Sequence, residues 1–408
     1  MIPIGSLFCK SINTALSIMC QLDDTSNYAG LSSSIIVGHP GGGKLESSKR
    51  TIIIAIAVVG ILVTAGLVML VGNKPVSGEN FNVTMTDALG RKVNLTHQPE
   101  RIVSCAPEIT ELVYAMGQGS KLVGVTGYCD YPQDVVDRKA AQTVKDIGGF
   151  STPKAEEIVD LTPDLVLVTA SMSQHVELAN QLEGLGLAVV ALYEGATINR
   201  VYDNIRLVGS ALKMEGQAAS LVGEMQKKIT AIQGKIDWAK PQAKVFFAVW
   251  LEPIYTAGAG TFINEVVQFA GGANAMASYP GWAMVSKEDV IAASPDIIFV
   301  SGTMMEMTPE QIITSMETDP VWSMTPAVQN HKVFVVTNQG ENVFVRQSVR
   351  IVEAIQLMAE VLQPSAFGAN VPNIIGSEYQ DYLTPLTSSS GPAANLQSLA
   401  LAVPIKWE

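Results

Sequence analysis

Aromatic side chains, one arginine and a pair of carboxylates carry most of the chemistry this sequence offers. Trp250, Tyr255, Tyr279 and Trp282 fall within 33 residues, although aromatics make up only 6% of the chain. Tyr128, Asp130 and Tyr131 form a second group, and Phe150, Thr169 and Tyr193 follow it. Arg346 is the clearest cation to join them, with Arg350 four residues on. Large flat walls with one positive charge suit a bulky, flat, partly anionic ligand. Phe150 and Tyr193 read equally well as plain core residues. Nothing resembles a nucleophile with a base and an orienting group. Gly258-Ala-Gly-Thr-Phe-Ile263 begins a phosphate loop but lacks its third glycine, so an enzyme with two nucleotide-binding halves is a remote alternative. His97, His175 and His331 are scattered, which disfavours a bare-metal receptor.

The elements that must position these residues are legible as a weak internal repeat. Residues 156–171 and 288–303 align without a gap at an offset of 132. Each copy reads as a short helix, a stop at Thr/Ser-Pro-Asp, and an unbroken apolar strand. Proline ends the helix because it disfavours the α conformation in the residue before it. An unbroken strand such as Leu165–Val168 is buried on both faces, which means a parallel sheet covered by helices. Further strands are predicted at 101–104, 122–125, 187–192, 244–249 and 332–336. In such α/β layers, ligands bind beyond the carboxyl ends of the strands. Leu221, Met225, Ile229, Ile232 and Ile236 follow the spacing of one helix face, so a helix from about 217 to 238 is predicted between the halves. The expected fold class is therefore α/β: two parallel-sheet lobes joined by one long α-helix. The expected boundaries are 85–212 for the first lobe, 213–240 for the connecting helix and 241–365 for the second lobe.

Outside this body, residues 1–50 read as a tail and 51–71 as a membrane anchor. Thr51–Val71 is a run of 21 residues without a charge or proline, which as a helix spans roughly 30 Å. Lys44, Lys49 and Arg50 precede it, which places the chain after it outside the cytoplasm. The alternative is a signal peptide cleaved near Ala65. Residues 34–45 approach a phosphate-binding loop, but Leu45 stands where the motif needs Ser or Thr. Residues 72–84 form a Gly/Pro linker, and 366–408 read as an appendage without its own core. Of the four cysteines, Cys105 and Cys129 follow neighbouring strands and could pair outside the cell or serve as small apolar residues. The net charge of −12 argues against a nucleic-acid partner.

Several stretches, taken in order, resemble the cobalamin and ferric-siderophore binding proteins of ABC importers. They are Arg101-Ile-Val-Ser-Cys-Ala-Pro-Glu-Ile-Thr-Glu111, Gly127-Tyr-Cys-Asp-Tyr-Pro132, Ile147-Gly-Gly-Phe-Ser151, the two Pro-Asp strands and Gly281-Trp-Ala-Met-Val-Ser-Lys-Glu288. The second of them is similar to the loop of the vitamin B12-binding branch. The resemblance covers about residues 85–365. It implies a ligand-binding protein and not an enzyme, with two lobes on a rigid helical backbone and no resident cofactor. Tyr128 and Trp282 match corrin-contacting aromatics, and Arg346 matches an arginine near the cleft. Trp250, Phe150 and Tyr255 complete the expected ligand-binding set. Glu156 and Glu288 match carboxylates that dock onto the membrane permease, which works with ATPase subunits. They hold equivalent places in the two repeat copies; as plain helix-terminus charges, each would contribute roughly 0.3–1 kcal/mol. Thr169 stands where B12-binding members can carry a pocket tryptophan, and Val249 replaces another aromatic, with Trp250 adjacent. The expected ligand is a cobalt corrinoid, with a ferric siderophore or haem as the runner-up.

Overall fold

The structure, a computed structural model, describes residues 81–386. The tail 1–50, the apolar run Thr51–Val71, most of the linker, and residues 387–408 lie outside them. Among the described residues no helix is long and apolar enough to cross a membrane.

A hairpin comes first: β1 (Val83–Thr86) pairs antiparallel with β2 (Lys92–Leu95). It is fastened to the first lobe by Asp87, whose carboxylate accepts a hydrogen bond from Ala191 N at 3.1 Å and pairs with Arg91 at 2.6 Å. The first lobe is a five-stranded, all-parallel sheet built from β3 (Ile102–Ser104), β4 (Leu122–Val125), β5 (Lys145–Asp146), β6 (Leu165–Thr169) and β7 (Val189–Leu192), in the order β5-β4-β3-β6-β7. Helices alternate with the strands, as parallel pairing requires.

The second lobe has seven strands: β8 (Lys244–Leu251), β9 (Ile254–Ala257), β10 (Ala273–Asn274), β11 (Trp282–Met284), β12 (Ile297–Ser301), β13 (Val333–Val336) and β14 (Ile374–Ile375). Their order is β11-β9-β8-β12-β13-β14, with β10 also on β8. This sheet is mixed. β8, β9 and β11 are antiparallel neighbours, whereas β12, β13 and β14 run parallel with β8. The alternating strand–helix reading missed that antiparallel part, because the reversal at Glu252-Pro253 is too short to leave a helix-sized gap.

The repeat has a physical cause. β6 and β12 are buried along their whole length, and each lies beside the first strand of its lobe. The aspartate of each Pro-Asp pair holds that first strand in register. Asp164 Oδ2 accepts from Glu100 N at 2.7 Å and Arg101 N at 3.0 Å; Asp296 Oδ2 accepts from Lys244 N at 2.8 Å. The residue before each proline, Thr162 or Ser294, has positive φ (44° and 52°), so both copies share the same strained turn out of the helix.

The connecting helix runs from Glu215 to Lys235 and buries Ala218, Val222, Met225, Ile229 and Ile232. Leu221 is only half-buried, so Val222 takes its expected place on the seam. A single apolar cluster extends from Ile102 and Leu165 in the first lobe, through this helix, to Phe247 and Phe299 in the second.

The second lobe does not stop at residue 365. The chain returns as β14 on the edge of β13, and Tyr379 is buried in the main cluster. Three residues of the helix Ile351–Leu362 hold this return segment. Glu353 meets Tyr379, Gln356 donates to Thr384 O at 2.7 Å, and Glu360 Oε1 accepts from Thr384 N at 2.8 Å. The stretch looked like an appendage because it is Pro/Gly/Ser-rich; its few apolar residues are spent on a core supplied by the other elements.

Candidate functional site

The aromatic group of the second lobe is assembled by strand pairing, not by loops. Tyr255 on β9 stands opposite Trp250 on β8 and Met284 on β11, and Trp282 stands opposite Ala257. A β-bulge between Ala248 and Trp250 turns Trp250 onto the side of Tyr255. Side chains two apart on a strand share a face, so Trp250, Tyr255, Met284 and Trp282 form one row. All four are exposed, Trp282 at 49% and Met284 at 58%. Exposed large apolar side chains in a contiguous row mark a binding surface. Trp282 is steadied by an edge-on contact with buried Phe262 at 6.0 Å, and Trp250 Nε1 donates to Glu252 O at 2.8 Å. Met284 escaped the sequence reading because a methionine beside aromatics carries no motif; only the β9–β11 register reveals its place.

The helix Asn338–Val345 lies on the same sheet face, with Phe344 packed 5.7 Å from Phe247 and 5.6 Å from Phe299. It meets the first lobe at the loop after β4, where Tyr128 is 61% exposed. That loop is fixed at several points. Lys139 Nζ donates to Gly127 O at 2.6 Å and Cys129 O at 3.0 Å, while the Cys129 thiol sits between the hydroxyls of Thr110 and Thr126. Cys105 and Cys129 are both buried free thiols, so the disulfide alternative is not realised. Burial pushes both thiols above their ordinary range.

Arg346 does not stand free as a ligand cation. Its Nη1 pairs with Asp130 Oδ1 at 2.6 Å and with Glu111 Oε1 at 3.1 Å. Arg350 pairs with the same Glu111 at 2.5 and 2.9 Å, and its guanidinium lies 3.9 Å from the centre of the Tyr131 ring. Gln339 and Asn342 reach Asp130 from the helix that ends just before Arg346. Desolvation opposes ionisation of Asp130, but Arg346, Gln339 and Asn342 together outweigh it and hold the carboxyl below its ordinary range. In the sequence Glu111 carries no role and Arg350 stands only as a second candidate cation. Their charges lie 239 positions apart, and nothing local couples them.

Phe150 is half-buried at the rim, edge-on to His175 at 5.4 Å. His175 Nδ1 accepts from Thr169 N at 3.3 Å, which assigns the proton to Nε2, donating to Phe150 O at 2.7 Å. Burial lowers its pKa and keeps this ring neutral. Thr169 is buried and, with Tyr193, lines a small cavity beneath the loop after β7. Tyr193 sits under Arg200 at 4.7 Å, and Tyr279 packs against the smaller cluster of the second lobe. Among the described residues no group of three His, Cys, Asp or Glu is placed to hold a metal ion.

Glu156 and Glu288 are exposed in the first turns of the helices Ala155–Asp160 and Lys287–Ala293. Neither has an ion-pair partner among the described residues. The second helix is capped by Ser286 and Asp289, which bond reciprocally, so Glu288 is not needed for that purpose.

The sequence pattern of the periplasmic binding protein family matches residues 102–339. An ABC transporter substrate-binding lipoprotein of Bacillus subtilis (strain 168) is 32% identical over 293 residues, 71% of this chain and 88% of its own. A vitamin B12-binding protein of Yersinia pestis is 29% identical over 210 residues, 51% of this chain and 71% of its own. The crystal structure of a possible iron-binding periplasmic solute-binding protein from Staphylococcus epidermidis superposes with a TM-score of 0.57 at 28% identity, covering 65% of this chain and 99% of that one. Two α/β lobes on a helical spine, matched along more than half the chain, lead to one assignment: the protein belongs to the periplasmic binding protein family, the substrate-binding components of ABC importers.

Proposed function

We propose that this protein captures a cobalt corrinoid between its lobes and hands it to an ABC permease driven by ATPase subunits, while tethered outside the cell by Thr51–Val71. One observation carries the choice of ligand. The exposed row Trp250–Tyr255–Met284–Trp282 offers a broad, polarisable apolar wall, whereas Arg346 is already neutralised by two carboxylates. A large macrocycle without strong negative charge fits such a surface; an anionic chelate finds no free guanidinium there. Tyr128 faces the ligand from the first lobe, Phe150 borders the site, and Arg346 sits at its floor. Similarity to a vitamin B12-binding protein supports the same ligand class. Glu156 and Glu288, one on each lobe, serve as the permease contacts. No catalytic step is involved.

A second reading is favoured by the likeness to a possible iron-binding protein: an iron chelate, as ferric siderophore or haem, in the same cleft. Calorimetry of the purified protein separates them. Cyanocobalamin is expected to bind with Kd below about 1 µM. Binding of haem or a ferric siderophore, with none of cyanocobalamin, overturns the corrinoid assignment and leaves the importer role standing.

A further inference from the structure

We infer that Glu111, Asp130, Arg346 and Arg350 form an interlobe latch that sets the width of the cleft and the posture of Tyr128 before any ligand arrives. Arg346 is then a positioning residue and not a ligand contact. The inference deepens the proposed function by naming what presets that site, and its first readout below needs no ligand.

Every ion pair in the group crosses from one lobe to the other. Glu111, Tyr128, Asp130 and Tyr131 belong to the first lobe; Gln339, Asn342, Arg346 and Arg350 belong to the second. Glu111 and Arg350 are buried, at 2% and 3% exposure, and the Glu111 carboxylate accepts three hydrogen bonds from the two arginines. Two arginines on one carboxylate leave an excess positive charge, which Asp130 balances at the rim. Charges so enclosed and so paired resist separation, because removing one partner strands the others away from water. Arg346 Nη2 also donates to Tyr128 O at 3.3 Å, so the peptide carrying Tyr128 is held from the opposite lobe. The stretch from Arg346 to Arg350 is wedged against the first lobe: a Cβ at Gly195 would lie 2.3 Å from Gln347 Cβ. Ser348 and Val349 continue that contact along a cavity shared with Glu108, Ile109 and Tyr193. An incoming anion would have to displace Asp130 to reach Arg346.

Asp130→Asn, at the accessible rim, is the decisive variant, and Glu111→Gln is the stronger companion. Spin labels on Ala140→Cys and Thr314→Cys, one per lobe, report the interlobe distance in the full-length, ligand-free protein after Cys9→Ser and Cys20→Ser. The latch requires a longer or broader distance distribution in Asp130→Asn than in the parent. It also requires cyanocobalamin to bind more weakly, by about fivefold in Kd. A ligand-contacting Arg346 requires the opposite sign, since Asp130→Asn would free the cation and tighten binding of an anionic chelate. An unchanged distance distribution, or tighter binding, overturns the latch. If the parent does not bind cyanocobalamin, the corrinoid proposal fails and the distances still decide the latch.

Discussion

The two lobes start from the same unit and finish it differently. Each sets a fully buried strand beside its first strand, and each uses a Pro-Asp aspartate to hold the pair in register. Beyond that, the first lobe stays all-parallel and presents Tyr128 on a loop pinned by Lys139 and Arg346. The second lobe adds the antiparallel strands β9 and β11 and presents four apolar side chains on a sheet face. Side chains on a paired strand are held by the ladder itself, whereas a loop residue depends on whatever fastens the loop. The wall is therefore intrinsic to one lobe, while the posture of Tyr128 depends on both.

The largest expected effect probes what the lobes share at their outer rims. Reversing charge at both Glu156→Lys and Glu288→Lys should abolish corrinoid uptake in cells while calorimetric affinity stays within twofold, about 0.4 kcal/mol. Uptake that survives the double reversal removes the docking role. Next comes the contrast between wall and loop. Trp282→Ala should weaken cyanocobalamin binding by at least about tenfold, or 1.4 kcal/mol, with Met284→Ala costing less. Tyr128→Ala should cost a similar amount. If only Tyr128 matters, the sheet face is not the binding wall.

The Pro-Asp pair gives a comparison in stability. Asp164 accepts two backbone N–H groups where Asp296 Oδ2 accepts one. Asp164→Ala should therefore destabilise by about 2 kcal/mol and Asp296→Ala by about 1 kcal/mol in urea unfolding. Equal losses would mean that the two copies are pinned by something other than these bonds.

The smallest effect concerns Glu108, one helical turn before Glu111. Burial pushes its carboxyl up to about 7, Glu111 adds to the rise, and Arg346 opposes it. The folded chain then holds this proton more tightly than the unfolded one, whose value is 4.5. Stability contributed through Glu108 is full below pH 4.5 and is lost as the pH rises toward about 7. Glu108→Gln should remove that loss and, compared with the parent, gain on the order of 1 kcal/mol at pH 8 relative to pH 5. Parallel pH profiles for the two proteins would place the Glu108 carboxyl in water.

Much of this was legible in the chain. Residues 156–171 and 288–303 announced two α/β units because proline and a run of apolar residues impose local structure regardless of their surroundings. The spaced apolar residues from Leu221 to Ile236 located the connecting helix for the same reason, although Val222 displaced Leu221 on its buried face. The aromatic residues pointed by type alone to an exposed apolar surface, and Trp250, Tyr255 and Trp282 stand on one.

What the sequence could not decide was which groups meet. Arg346 read as a ligand cation because its partners, Asp130 and Glu111, lie 216 and 235 positions away. Met284 was silent until the β9–β11 register set it between Tyr255 and Trp282 on one face. The segment from 366 to 386 had too few apolar residues to claim a core, yet the helix Ile351–Leu362 supplied one for it. Local backbone preference and side-chain type are properties of short stretches and survive in one dimension. Charge pairing, strand register and shared burial are properties of surfaces brought together by the folded chain, and only the tertiary structure fixes them.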